Sequence, residues 1–563
     1  MRPLDWLVMF AWLAFIVGYG VYRGRGSDTV SGYLLAGKSM PWYAMGLSIM
    51  ATQASAVTFI STTGQSYTDG MRFVQFYFGL PLAMVILSAT AVPIFHRANV
   101  YTAYEYLEQR FDVKTRALVS AIFLMQRGLA AGLSLYAPSV VLSVILGWPD
   151  RLTTVLMGVL IVSYTALGGN KAVIWADVQQ MLLISCALVL ALFMAVHLLP
   201  DHVSWANAVS LAGAAGRLNA VTLHFDWDDR YNIWSGLIGG MFLALAYFGC
   251  DQSQVQRYLT GKSIQQSRLS LTFNAMAKIP MQFFVLFIGA MVFVFFTFEK
   301  PPMLFQPVEL NRVRSDPRFP AVEQRYEQAF EIRKEAAEEY LEAHRSGDQA
   351  ARQASRSRYQ SAQRELNDAH AAGERLIGKD FNDTNYIFLS FVTGYLPAGV
   401  VGLIIAVIFT AAMSSTSGEI NSLAAVTVID LYQRHVRKDA SDRHYLAASR
   451  LATVFWVIYA VVFAQYGRSF GALIEAVNIV GSLFYGGLLG VFVLAFFFKT
   501  VGPNGAFFGV LAGEAAIFAA YLFTKISYLW YNVVGCVVVI AVGALISRVF
   551  DGGDVTGHRD ISK

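Results

Sequence analysis

Apolar stretches of about 20 residues, the length a helix needs to cross a bilayer, recur along nearly the whole chain. They fall at 4–22, 41–66, 73–95, 117–146, 151–167, 173–198, 233–250 and 270–298. After a polar insert they resume at 397–419, 447–466, 470–498, 504–523 and 526–548. A chain of this pattern folds as an all-α integral membrane protein with about thirteen spans, and the termini lie on opposite sides. Composition agrees: 56% of residues are hydrophobic and 14% charged, where soluble domains average about a quarter charged. The first run follows Asp5 and has no small-residue cleavage site after it, so it reads as a retained helix rather than a signal peptide.

The charges set the direction. Alternate loops carry Arg23, Arg25 and Lys38; Arg97, Arg110, Lys114 and Arg116; Arg257, Lys262 and Arg268; then Arg434, Arg437, Lys438, Arg443 and Arg450. The intervening loops are short or acidic, as at Asp226, Asp228 and Asp229. The positive-inside rule puts the N-terminus outside and the C-terminus in the cytoplasm of a cell membrane. The net charge of +5 is small and spread over loops, which argues against nucleic acid as a partner. Cys186, Cys250 and Cys536 lie in or beside apolar runs, with no CxxC pair or His/Cys cluster, so neither a disulfide framework nor a zinc site is indicated.

The insert, about 300–385, falls outside the membrane on this count. From Ala321 to Ile377 it is rich in Glu, Arg, Gln and Ala, with Ser346-Gly347-Asp348 as a turn. Tyr326, Phe330 and Leu341 face Tyr359, Leu366 and Leu376 in a thin apolar stripe. That pattern predicts an antiparallel helical hairpin, read either as a solvated, neutral insertion or as a partner-binding element.

Lipid makes buried polar groups expensive, so function is sought among polar residues inside the spans. Span 2 carries Ala51-Thr52-Gln53-Ala54-Ser55-Ala56-Val57-Thr58. This is either a close-packing helix face or a locally unwound helix whose freed carbonyls take a cation. Span 9 carries Thr410-Ala411-Ala412-Met413-Ser414-Ser415-Thr416-Ser417-Gly418. Its hydroxyls are hard donors suited to sodium, or else they bond back to the helix carbonyls. Asp177 of span 6 either snorkels to water or balances a bound cation. Arg127 of span 4 lies eleven residues beyond Arg116, roughly 16 Å deep at 1.5 Å per residue. It forms a structural pair, with a helix carbonyl or Glu475, or its guanidinium fork reads a substrate carboxylate.

These segments resemble the sodium:solute symporter family, which carries sugars, proline, iodide, sialic acid and monocarboxylates. The likeness rests on Ser48 to Thr58, on Tyr101-Thr102-Ala103-Tyr104-Glu105-Tyr106-Leu107-Glu108-Gln109-Arg110-Phe111, and on Leu135-Tyr136-Ala137-Pro138. It continues in Gly168-Gly169-Asn170-Lys171-Ala172-Val173-Ile174-Trp175-Ala176-Asp177, in Asp251-Gln252-Ser253-Gln254-Val255-Gln256-Arg257-Tyr258, and in Ala411 to Ser417.

The resemblance implies a LeuT-type inverted repeat of five helices plus five. Its parts are an extra N-terminal helix and cytoplasmic loop (1–40), a first repeat (41–198), and a second repeat beginning at 199–299 and resuming at 386–499. The extracellular hairpin insert (300–385) interrupts it, and two C-terminal helices with a short tail follow (500–563). The resemblance further implies a sodium held by carbonyls of Ala51, Ala54 and Ala411 and hydroxyls of Ser414 and Ser415. A second sodium at Asp177, Ser414 and Ser417 is less well matched, because Gly418 stands where a further ligand is expected. Gln53, Ser55, Thr58, Phe73, Tyr77, Arg127 and Tyr247 are the implied substrate residues, with Tyr247 as an aromatic gate.

Where sugar carriers need hydrogen-bonding groups this chain aligns Tyr77, Leu80, Ala244 and Ile474, which would leave a polyol's hydroxyls unpaired. Around Ser55 to Thr58 and Gly168 to Trp175 the chain resembles the iodide/monocarboxylate and sialic-acid branches, which carry anions. The resemblance thus implies sodium-coupled import of a small organic anion such as a monocarboxylate, with sialic acid or another acidic sugar as the alternative. A membrane sensor is disfavoured by the short tail after the last span. An enzyme is disfavoured by the lack of HExxH, of GxSxG in a plausible setting, and of paired intramembrane aspartates.

Overall fold

The computed structural model describes residues 1–24, 35–165, 170–378, 381–466 and 471–550. Arg25, Gly168, Gly169 and the tail from Asp551 lie outside the described residues.

Every apolar run is helical over most of its length. The first half comprises α1 (Pro3–Gly24), α2 (Trp42–Gln53), α3 (Thr63–Asp69), α4 (Leu80–Ala89), α5 (Val113–Leu146), α6 (Asp150–Thr165) and α7 (Asn170–His197). Next come α8 (Gly240–Gly249) and α9 (Ile264–Phe298), then the insert helices α10 (Phe319–Ser346) and α11 (Gln349–Ile377). The chain ends with α12 (Ile387–Tyr395), α13 (Val400–Val426), α14 (Asp442–Ala464), α15 (Leu473–Phe497), α16 (Pro503–Phe523) and α17 (Tyr528–Phe550). Among the described residues nine stretches are long and apolar enough to cross a bilayer by length and composition. The remaining expected spans are shorter or broken helices.

Two of those breaks sit at corresponding places. Span 2 stops at Gln53 and resumes as π-type turns at Thr58–Thr62 leading into α3. Span 7, where the second repeat is expected to begin, stops at Gly249, and a short helix Gln252–Leu259 follows, capped by the Asp251 carboxylate on the Ser253 N–H. A broken first helix in each repeat is the architecture of LeuT-type transporters.

Span 9 is longer than expected. Hydropathy ends it at residue 419, but α13 runs to Val426 and continues in π-type turns to Val436. Glu419 does not end the helix because it is buried beside Arg127, whose charge it balances.

The Tyr101–Phe111 and Asp251–Tyr258 motifs meet on the side assigned to the cytoplasm. Gln252 accepts from the Ala103 N–H at 2.9 Å and donates to the Tyr101 carbonyl at 3.0 Å. Nearby, Arg116 bonds Asp430 at 2.6 Å and Glu108 at 2.7 Å, joining the start of α5 to the end of span 9. At the other end of the span, Asp5 accepts from the Gly399 N–H at 2.7 Å, tying α1 to the start of α13.

The insert is a helical hairpin. Gly347 turns it at φ +75°, a left-handed conformation that suits glycine, and Asp348 caps α11 by accepting from the Ala350 and Ala351 N–H groups. Tyr326, Phe330, Leu341, Tyr359 and Leu366 are buried. The hairpin is not a freely solvated arm. Fully buried Arg333 bonds the Phe296 carbonyl at the end of α9, Tyr340 meets Ser210 at 3.1 Å, and Gln360 donates to the Ala214 carbonyl at 2.8 Å.

Candidate functional site

The break in span 2 falls in a run of small residues, Ala54-Ser55-Ala56, that offers little side-chain packing to hold a continuous helix in place. Helical geometry ends before position 55, whose N–H would close on the Ala51 carbonyl in a continued helix. Neighbouring carbonyls are spoken for, Met50 by the Ala54 N–H and Gln53 by the Thr58 hydroxyl, each at 2.8 Å. Helix α13 packs directly against α2. Its Ser415 hydroxyl donates to the Ala411 carbonyl at 2.9 Å, and Ser414 donates to Asp177. Both hydroxyls spend their hydrogens on these bonds, which leaves oxygen lone pairs for a cation.

Asp177 does not snorkel. It is fully buried, where its carboxylate joins three spans: Ser48 of α2 donates to it at 2.5 Å, and Ser414 of α13 bonds its other oxygen. The Arg257 guanidinium, from the short helix after α8, lies 2.7 Å away. Gly418 faces that guanidinium, and a Cβ there would fall 2.6 Å from its Nη2. Ser417 is buried on the same helix.

A cavity of ≈110 Å³ opens beside the break in α2. Gln53, Ser55, Thr58, Tyr77, Arg127 and Tyr247 line it, as do Leu80, Ala244 and Ile474. Phe73 does not, being packed behind the wall against Phe76 and Tyr231. Phe76 and Tyr77 of the turn Gly70–Tyr77 line the cavity instead, and Phe73 is buried behind them.

Arg127 is held on both sides. One Nη bonds Asp251, at the break in span 7, and the Tyr485 hydroxyl at 2.8 Å; the other bonds Glu419 at 3.1 Å. Its face lies 5.5 Å from the Tyr247 ring centroid. Glu475, the carboxylate weighed as its partner, instead pairs with Arg230 at 2.6 Å and Tyr231 at 2.9 Å. Asp251 and Glu419 were missed as partners of Arg127, although a carboxylate at the edge of an apolar run is itself a signal.

A second polar stripe was also missed. Asn274, Lys278 and Gln282 recur every four residues on one face of α9, and all are fully buried. Asn274 accepts from Gln53 at 2.8 Å. The Lys278 side-chain nitrogen has no hydrogen-bond partner among the described residues and sits 5.3 Å from the centroid of the Tyr77 ring, which itself lines the cavity.

The family model described as "Sodium:solute symporter family" matches residues 33–305 and 363–513. The chain belongs to the sodium:solute symporter family. It is thus a multi-pass membrane protein that couples solute movement to sodium, and not an enzyme. The symporter is 27% identical to the sodium/sialic acid symporter NanT of Aliivibrio fischeri over 97% of this chain and 93% of that one. It is also 27% identical to human sodium-coupled monocarboxylate transporter 1, over 91% of this chain and 72% of the relative. The sodium/glucose cotransporter of Vibrio parahaemolyticus is 26% identical, over 97% and 91%. A substrate-bound, outward-open structure of a Na+-coupled sialic acid symporter superposes with a TM-score of 0.74 at 25% identity, covering 98% of each chain. The fold is the LeuT-type arrangement.

Proposed function

We propose that this symporter imports a small organic anion together with one sodium ion. The ion sits between the carbonyls of Ala51, Ala54 and Ala411 and the hydroxyls of Ser414 and Ser415. The observation that carries the anion reading is Lys278, a fully buried amine with no hydrogen-bond partner among the described residues, 5.3 Å from the centroid of the Tyr77 ring that lines the cavity. Arg127 is a poorer reader of anions, because Asp251 and Glu419 already surround it. Leu80, Ala244 and Ile474 on the wall argue against glucose-type sugars, since they leave hydroxyls without partners. The experiment is a thermal-shift screen of small carboxylates, amino acids and sugars with and without sodium. A carboxylate that stabilises only with sodium supports the reading; a neutral sugar that does so overturns it.

Lys278→Gln is expected to weaken carboxylate binding by roughly ten- to a hundredfold, the scale of a hydrogen bond to a charged group. Binding of the corresponding neutral amide should change little, and isothermal titration of both ligands checks this. An acidic sugar such as sialic acid is the second reading. The names of the relatives favour it, as do the polar groups Gln53, Thr58, Gln126 and Asn478 on the same wall.

Arg257 supports a single sodium. Its guanidinium already neutralises Asp177, and the missing side chain at Gly418 gives it room. A second cation beside Asp177 would face a resident positive charge. Arg257→Gln is expected to free the carboxylate and raise the Hill slope for sodium-driven uptake from about 1 toward 2. A folded variant that keeps the wild-type slope would count against this role for Arg257.

A further inference from the structure

The insert brings together three groups that transport does not use. His370 and Glu374 stand one helical turn apart on α11, and Asp383 lies in the segment entering α12. His370 Nε2 is 3.2 Å from Asp383 Oδ1 and 3.8 Å from Glu374 Oε1, and all three ligand atoms fall within 4.8 Å of one another. A zinc ion with tetrahedral bonds of about 2.0–2.1 Å holds its ligand atoms roughly 3.3 Å apart. The His370–Asp383 pair already has that spacing, and the Glu374 carboxylate stands farther out, 3.8 Å from His370, on a partly exposed side chain that can swing inward.

The ligands are also oriented from behind. The His370 ring lies beside the Phe305 and Tyr326 rings, at 6.1 and 6.4 Å between centroids. Asp383 turns its second oxygen to the Phe305 N–H at 2.7 Å. Such outer partners fix the ring and the carboxylate so that one atom of each faces the ion. His370 and Glu374 keep partial exposure while Asp383 is buried, which leaves an open side for entry and for a water as fourth ligand.

We propose that His370, Glu374 and Asp383 form a binding site for a divalent transition-metal ion of the zinc type. One imidazole and two carboxylates are borderline ligands that suit zinc or cobalt better than magnesium, which prefers six oxygens. The site clamps the hairpin to the transport core. Asp383 adjoins Thr384, whose carbonyl lies against Gly64 of α3, and Asn385 bonds the Gly471 carbonyl and the Leu473 N–H at the start of α15.

The test uses the full chain in detergent, freed of any affinity tag, titrated with zinc and with cobalt. The expected result is saturable binding of one ion per chain, a raised melting temperature, and visible cobalt absorption typical of low coordination number. His370→Gln and Glu374→Gln should each lower the affinity at least tenfold, and magnesium should not substitute. Should His370→Gln fail to fold, Glu374→Gln decides alone, since its carboxylate is partly exposed. No saturable binding by wild type, or equal affinity in the folded variants, overturns the proposal. In either case sodium-dependent stabilisation is unaffected, so failure here leaves the transport reading intact.

Discussion

Replacing Ser414 and Ser415 together by alanine is expected to abolish the stabilisation of the purified symporter by sodium, and sodium-driven uptake with it. The hydroxyls contribute two of the five proposed oxygen ligands, and a hard cation bound by few ligands cannot spare two of them. Thermodynamic linkage gives the scale: sodium at a hundred times its dissociation constant stabilises by about 2.7 kcal/mol, and loss of the site removes that whole increment. Melting curves in sodium and in potassium, for wild type and double variant, check this. An unaltered sodium response in the variant, or equal stabilisation of wild type by potassium, contradicts the assignment.

Arg127→Gln is expected to unfold or nearly unfold the protein rather than to change its choice of solute. The guanidinium is 3% exposed and lies between Asp251, fully buried, and Glu419. Removing one partner from a buried ion pair typically costs about 3–5 kcal/mol, because the remaining charge is left uncompensated. That is a large part of the ~5–15 kcal/mol by which a folded protein is stable. Arg127→Gln combined with Glu419→Gln should recover part of the loss, since one stranded carboxylate is then neutral. The yield of monodisperse protein and its melting temperature measure both. A single variant that folds like wild type but no longer distinguishes a carboxylate from its amide would return Arg127 to the substrate site.

The positions of the spans were legible because apolar length is a local property of the sequence. Their ends were not, where a charge inside a span is paired from elsewhere. Glu419 reads as a helix terminus until Arg127, 292 positions earlier, is seen beside it. Distance in sequence likewise hid the partners of Arg127, Asp251 lying 124 positions away and Glu419 292. Asn274, Lys278 and Gln282 were within reach, since their four-residue spacing marks one helix face, but a single lysine in a long apolar run was read as part of the run. Phe73 shows the limit of motif matching: the residue is where an aromatic is expected, yet it is buried in the core. Gly418 was visible as a departure from the family pattern. What that departure permits, the approach of Arg257 to Asp177, depends on a contact between residues 80 positions apart in the chain.

Charge arithmetic joins the sodium, the anion and Arg257 in one observable. One sodium moving with one monovalent anion carries no net charge, whereas two sodiums with one anion, or one sodium with a neutral solute, carry a positive charge inward. The most direct measurement is uptake of a stabilising carboxylate into proteoliposomes under a fixed sodium gradient, with the membrane potential set by potassium and valinomycin. The expected result is sodium-driven accumulation with a Hill slope near 1 and an initial rate independent of the imposed potential. Uptake that accelerates with an inside-negative potential and shows a sodium slope near 2 would contradict it.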